Sequence, residues 1–497
     1  MSEKPPHATP LFAAWRCFFA PPLRRAASTH RSGLVHATLT QIEQRFAPVL
    51  PASLLGQNSS RDHSRERIFT LARTVWCWLW QALQAHASCR EAVQQVQALF
   101  ALHQAGDVDS QNSAYCQARD KIPAALLQKL FQTSAGSVEQ AAPGIARPLL
   151  QNRRVQVVDA SGTRLPDTAK NRAAFPPSAN LPAGTGFPYL RLVVLFSLAS
   201  GALLAQASGA QSVHELRLLF SLLPHLQRGD ILLGDRSYGC YVVAAVLQSC
   251  GVDLLSTVST RCRKVDFRRA AKRLGPMDAL FVWKKPSSVS PLCTAAQWRA
   301  LPAEIFVRLL RVRVARRGFR ASTLVVVTTL LDPHLYPAAE IVATHARRWR
   351  LEMCLDDVKT TLGMEGLRCQ SPAMVKKELL VFLTAYNLIR WLMAQVATEH
   401  HVALERLSFK GTLDGFRQWS HTMAQRRSRA QAAKLWPQFL ASIAADLLPE
   451  RPGRHEPRAV KKRSKYPRLN KPRHSYVDRW SRGKRRRVAT AKRRASA

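Results

Sequence analysis

Acidic residues are scarce in this chain: 32 Asp and Glu stand against 74 Lys and Arg over 497 residues, for a formal net charge of +42. That imbalance argues against an ordinary cytosolic enzyme of near-neutral charge and points to a polyanionic partner, nucleic acid first. Paired cysteines are also missing. None of the ten cysteines forms a C-x-x-C pair, and several sit among apolar neighbours, as Cys77 does between Trp76 and Trp78. A zinc module is thereby disfavoured and a reducing compartment favoured. Long apolar runs are absent too. The most apolar stretch, residues 190–207, is broken by Arg191, Ser197, Ser200 and Gly201, and residues 1–28 lack a signal-peptide core. The expectation is a cytoplasmic chain with no membrane partner.

What is present divides the chain by composition. Residues 1–35 read as a flexible N-terminus and 36–150 as a helical, basic region suited to DNA. Within it, Ser88 to Glu91 forms a capping box, and Ser113–Arg119 lies on a further helix. From residue 153 the pattern turns to strands. Val155-Gln156-Val157-Val158-Asp159 is expected to end on its carboxylate, with a turn at Ser161-Gly162. Residues 190–198 and 202–207 read as a hairpin through Ser200-Gly201, and Ser212 to Glu215 as a second capping box. Ile231-Leu232-Leu233-Gly234-Asp235 is a short buried strand ending on a second carboxylate. Residues 260–320 interrupt the alternation and read as a β-rich insertion within a core of 151–372. Helices are expected at 373–399 and 428–447, the second kinked at Pro437, within a C-terminal region of 373–450.

The stretch 338–362 has no Gly or Pro and follows Pro337, which predicts one long helix. On such a helix His345, Arg348, Glu352, Asp356 and Lys359 share a face, beside an apolar stripe of Leu351, Leu355, Val358 and Leu362. Arg348 and Glu352 alone would be an ordinary i,i+4 ion pair. Joined by Asp159 and Asp235 at strand ends, Glu352 completes a set of hard oxygen donors suited to two Mg²⁺ or Mn²⁺ ions in phosphodiester chemistry. Asp356 and Asp357 are the rival carboxylates. Asp167, Asp230 and Asp332 read as turn or cap residues.

The pattern His345-x-x-Arg348-x-x-x-Glu352-x-x-x-x-x-x-Lys359 resembles the Y-R-E-K signature of bacterial DDE transposases in the insertion-sequence-four family. Asp159-Ala160-Ser161-Gly162-Thr163 and Leu233-Gly234-Asp235-Arg236-Ser237-Tyr238 resemble that family's two aspartate blocks. Thr328 to Pro333, Ser113–Arg119 and the segment 451–459 are also similar to it, and the likeness covers about residues 35–475. One position departs: His345 stands where the family has Tyr, and an imidazole N–H can replace a phenol donor.

The resemblance implies an α/β chain with a ribonuclease H-like catalytic core. That core carries a β-rich insertion and is flanked by helical N- and C-terminal regions and a basic disordered tail. It implies Asp159, Asp235 and Glu352 as metal ligands, with His345, Arg348, Lys359 and Arg236 on DNA. Double-stranded element ends and target would be the partners, in a homodimeric synapse. Some members of the family excise through a DNA hairpin with a flipped base held by an aromatic residue of the insertion. Trp283, beside Lys284 and Lys285, is the candidate here; the competing reading, which strand alternation favours, is that it fills the insertion's core with Phe281. The alternatives to strand cleavage and transfer are an inactive DNA-binding relic, or a two-metal nuclease that does not join.

Residues 451–497 hold 19 Lys and Arg against Glu456 and Asp478, a net of +17, with no apolar periodicity. Such a tail adds sequence-independent affinity through counterion release. Deleting it should weaken binding to any duplex and flatten the salt dependence, as measured by fluorescence anisotropy from low to moderate salt. An unchanged slope would contradict that role.

Overall fold

The computed structural model describes residues 46–56, 68–84, 87–102, 106–142, 150–177, 186–258, 265–314, 322–424 and 429–449. The basic tail and much of the run beginning at Arg261 lie outside them.

Five helices open the described chain: α1 (Ala52–Gly56), α2 (Leu71–Leu83), α3 (Cys89–Leu102), α4 (Ser113–Lys121) and α5 (Ala124–Ala141). The reciprocal bonds expected between Ser88 and Glu91 form at the start of α3, at 2.6 and 3.2 Å. Then come β1 (Val155–Arg164), α6 (Ala169–Ala174), β2 (Tyr189–Ser197), β3 (Leu203–Ala210), α7 (Glu215–Leu222), β4 (Ile231–Leu233), α8 (Tyr241–Ser249) and β5 (Asp253–Thr257). The second expected capping box does not form. His214 caps α7 instead, its Nδ1 accepting from the Leu216 amide at 3.2 Å.

The region read as an insertion holds β6 (Lys272–Gly275), β7 (Asp278–Lys284), α9 (Ala295–Ala300) and β8 (Glu304–Val314), and β9 (Ser322–Thr328) follows. These strands are not a separate body. They extend one nine-stranded sheet ordered β3-β2-β1-β4-β5-β9-β8-β7-β6. Strands β1, β4 and β5 are parallel, while β2 and β3 run antiparallel on one side and β9, β8, β7 and β6 on the other. The central strands read as unbroken apolar runs because both faces are covered. Val157, Val194, Leu233 and Val326 pack with the N-terminal helices and with α12 (Pro372–Glu399). Val158, Val193, Leu232 and Val327 pack with α7, α8 and α9 on the other face.

After β9 the chain forms α10 (Ala338–Arg347), α11 (Trp349–Asp356) and a π-helical turn, Asp357–Thr361. The single helix expected over 338–362 is therefore interrupted at Arg348 and widened after Asp356, although Arg348, Asp356 and Asp357 all keep right-handed helical dihedrals. Leu355, Val358 and Leu362 of the expected stripe are buried; the Leu351 side chain lies outside the described residues. By length and composition α12 could cross a membrane, yet 89% of its most apolar window is buried inside the protein. It is the central core helix. Next come α13 (Phe409–Ala424), which the sequence reading missed, and α14 (Arg429–Ala445), which runs on through Pro437.

One buried charge ties the added strands to the signature helix. Arg308 of β8 is fully buried and pairs with Asp278 of β7 at 2.8 and 2.5 Å. Its Nη1 donates to the Tyr336 carbonyl at 2.7 Å, just before α10. Arg308→Ala would strand a carboxylate and a carbonyl in the interior, which costs about 3–5 kcal/mol. Urea unfolding should register that loss, and a change under 1 kcal/mol would show the pair to be dispensable.

Candidate active site

Strands β1 and β4 lie side by side in parallel, with Val157 opposite Leu233. Two residues further along each, the register reaches Asp159 and Asp235. Pairing between the two strands ends at that point. The backbone after β4 turns to β5, where the Gly234 amide donates to the Leu255 carbonyl at 3.0 Å and Ser256 Oγ donates to the Asp235 carbonyl at 2.5 Å. A cleft thus opens between β1 and β4, flanked by two carboxylates at the carboxyl end of the parallel strands, where open α/β sheets place their ligands.

Asp159 does not end its strand, as the sequence suggested. Strand β1 continues through Ser161 and Gly162, which pair with Leu192 and Arg191 of β2, so the expected turn is absent. The far end of β1 is fastened beyond α11: Thr163 Oγ1 bonds the Met364 and Glu365 carbonyls at 3.0 and 2.9 Å, and Arg164 bridges Gly366. The segment that follows the signature helix is thereby held against the strand carrying Asp159.

Charge locates the third carboxylate. Burial pushes the Asp159 carboxyl up to about 6. Its bond from the Ala160 amide and the nearby Arg348 guanidinium oppose that rise, while Asp235 and Glu352 add to it. Asp159, Asp235, Glu352 and Arg348 therefore share one electrostatic neighbourhood. Arg348 Nη2 donates to Glu352 Oε1 at 2.8 Å, and Asp235 Oδ1 accepts from the Ser237 amide at 2.8 Å. Three carboxylates with one guanidinium among them are hard oxygen donors carrying excess negative charge, and their chemistry suits a divalent ion. Among the described residues no three such side chains are already closed around a single ion position. Arg348 occupies Glu352.

The other expected site residues take different positions. Burial, aided by Arg348, pushes the His345 imidazole down to about 4, and its Nε2 is buried without a hydrogen-bond partner. It is neutral at physiological pH. Lys359 rides on the π turn and is drawn toward Glu365, at 4.0 Å. Arg236 is exposed beside Asp235. The rival carboxylates are engaged elsewhere: exposed Asp356 accepts from Thr360 Oγ1 at 2.8 Å, and Asp357 is half-buried near Arg390, its carboxyl raised to about 7 chiefly by desolvation. Asp332 accepts from the His334 amide at 2.8 Å as a turn residue, Asp230 likewise accepts from the Gln227 amide at 2.8 Å, and Asp167 pairs with Arg172.

Trp283 is not presented to a ligand. It lies opposite Ile305 and is buried in the core on the α7–α9 face of the sheet, with Phe281 packed against the same core. The packing alternative is the one the structure takes. On the opposite face the Val282–Phe306 pair turns outward, with Phe306 52% exposed.

Sequence reading also missed a residue. Glu215, read as part of a capping box, stands near Asp235 and against Tyr238, and burial followed by the Asp235 charge raises its carboxyl. Nothing in its local sequence distinguishes it from a helix-start glutamate.

A raised Asp159 has a consequence for stability. A carboxyl at 3.8 in the unfolded chain and about 6 in the fold binds more protons folded, so stability falls as pH rises from about 4 to 6. Above that window the ion-free fold has lost on the order of 3 kcal/mol at this position. Asp159→Asn should therefore stabilise the ion-free protein at pH 7 and flatten its stability profile between pH 4 and 6, as followed by denaturant midpoints in chelator. A variant less stable than the wild type at pH 7 would contradict this.

Residues 150–388 match the family model described as Transposase DDE domain. The chain is 26% identical over 439 residues to the Transposase InsG for insertion sequence element IS4 of Escherichia coli (strain K12), covering 86% of this chain and 93% of that protein. A more distant likeness, at TM-score 0.39 and 10% identity over 86% of each chain, is to the piggyBac transposase synaptic complex with hairpin DNA. Residues 150–388 are thus a transposase DDE domain, and the chain around it is similar to an insertion-sequence-four transposase over most of its length, which supports a DNA-cleaving and DNA-transferring enzyme.

Proposed function

We propose that Asp159, Asp235 and Glu352 form the catalytic centre of this transposase, within a ribonuclease H-like core, and hold two Mg²⁺ or Mn²⁺ ions. The observation that carries the reading is the parallel register that sets Asp159 and Asp235 at one level, with the Asp159 carboxyl raised by burial and, to a lesser degree, by Asp235 and Glu352. The order β3-β2-β1-β4-β5, with β1, β4 and β5 parallel, supports the core assignment. Bound there, the ions would activate water or a 3′-hydroxyl and take up charge on the leaving oxygen.

This chain's own residues supply position and counter-charge. In nicking, a water oxygen bonds to phosphorus as the P–O3′ bond breaks, freeing a 3′-hydroxyl. In transfer, that hydroxyl oxygen bonds to a target phosphorus and the target's own P–O3′ bond breaks. Arg348, now on Glu352, can exchange that carboxylate for a non-bridging phosphate oxygen. Neutral His345 can donate one N–H without adding charge. Arg236 and Lys359 would draw in the flanking backbone. The substrate is the inverted-repeat end of the element, and joining two ends calls for a homodimeric synapse.

Asp159→Asn, Asp235→Asn and Glu352→Gln should each slow cleavage of an element-end duplex by about a thousandfold or more, the loss of several kcal/mol of transition-state stabilisation. Binding of the same duplex should stay within about threefold. Normal cutting by Glu352→Gln together with loss in Asp356→Asn would show the third ligand to be misassigned.

A further inference from the structure

Outside the three proposed ligands, the cleft has a second acidic side. Glu215 is the first residue of α7, and its approach is fixed from two directions. Arg191 of β2 donates through Nη1 to the Val213 carbonyl at 2.6 Å, and His214 caps the helix. Facing it is Tyr238, three residues beyond Asp235 and fully buried, whose amide donates to the Asp235 carbonyl at 3.1 Å. The ring lies directly on Gly234, where any side chain would collide with it. The Tyr238 hydroxyl is therefore locked in place. It touches Glu215 and stands among Glu215, Asp235 and Asp159, yet it has no hydrogen bond of normal geometry. A buried hydroxyl that meets Glu215 outside normal hydrogen-bond geometry, within reach of the charges of Asp235 and Asp159, marks a position whose polar partners are incomplete.

The charge count gives that position a use. On the α11 side, Arg348 is bonded to Glu352 and offsets its charge. On the β4 side, Asp159 and Asp235 have no guanidinium in hydrogen-bond contact among the described residues. Mg²⁺ and Mn²⁺ are held by one or two direct carboxylates and keep several waters, which nearby acceptors then orient. We propose that Glu215, steadied by Tyr238, is a fourth carboxylate of the centre. It raises the affinity of the Asp159–Asp235 pair for a divalent cation by accepting from that cation's water shell. The assignment rests on the catalytic reading above. It makes Glu215 a positioning residue, acting through water and not as a direct ligand.

The test uses the full chain, titrated calorimetrically with Mn²⁺ alone, without DNA. Glu215→Gln keeps the shape and removes the charge, and should weaken Mn²⁺ binding about tenfold, the usual cost of losing an outer-shell partner. Glu215→Asp, which keeps the charge, should recover most of that loss. Unfolding midpoints in chelator should remain within about 2 °C for both, so that a purely structural role is separated. Should Glu215→Gln fail to fold, Tyr238→Phe carries the test: it keeps the ring on Gly234, removes the hydroxyl and should also weaken Mn²⁺ binding. Asp159→Asn distinguishes the two readings. If it weakens Mn²⁺ binding while Glu215→Gln stays within twofold of wild type, Glu215 has no such role. If Asp159→Asn itself leaves the affinity unchanged, the metal assignment beneath the proposal is overturned as well.

Discussion

Like charges gathered in a partly buried cleft repel one another, and the architecture around this site exists to hold them there. Asp159 and Asp235 are carried on adjacent parallel strands whose pairing at Val157 and Leu233 sets their common level. Neither strand can slip by one residue without moving its apolar set to the wrong face, so the register of the core is the register of the site. Arg348 supplies a nearby cation, bonded to Glu352 and felt by Asp159. Without an ion the site is strained toward protonation. A divalent cation would relieve what the fold imposes.

The helix bearing Glu352 is held from several sides at once. Arg308 connects the added strands to the loop before α10, and Thr163 fastens β1 to the segment after the π turn. Asp357, the first residue of the π turn, lies near Arg390. Lys359 rides on this wide turn, 4.0 Å from Glu365. π turns are frequent where a helix must re-aim a side chain at a functional site. Here it carries Lys359, the last member of the signature.

That Asp159, Asp235 and Glu352 are neighbours was legible in the sequence, because they stand out by residue type and by place in short motifs. Other features depended on partners far along the chain. Gly162 looked like a turn residue, yet it lies within β1 beneath the Tyr189 side chain, where a Cβ would collide with the ring. Helix α13 was missed because Gly411 and Gly415 weaken its helical signal. Those glycines let it approach α14, with Asp446 against one and Phe439 against the other. Trp283 beside two lysines suggested a base-stacking residue, but strand alternation turns it inward and turns Phe306 out. Glu215 was invisible for the same reason: only the fold places the start of α7 near the end of β4.

The account stands on ions gathering at the mouth of the β1–β4 cleft. Crystals of the full chain bound to an element-end duplex, grown with Mn²⁺, would show this through anomalous scattering. Peaks about 2.1 Å from carboxylate oxygens of Asp159 and Asp235, with Glu352 withdrawn from Arg348 to complete the set, are the predicted result. Peaks at Asp356 or Asp357 with none between Asp159 and Asp235 would contradict it.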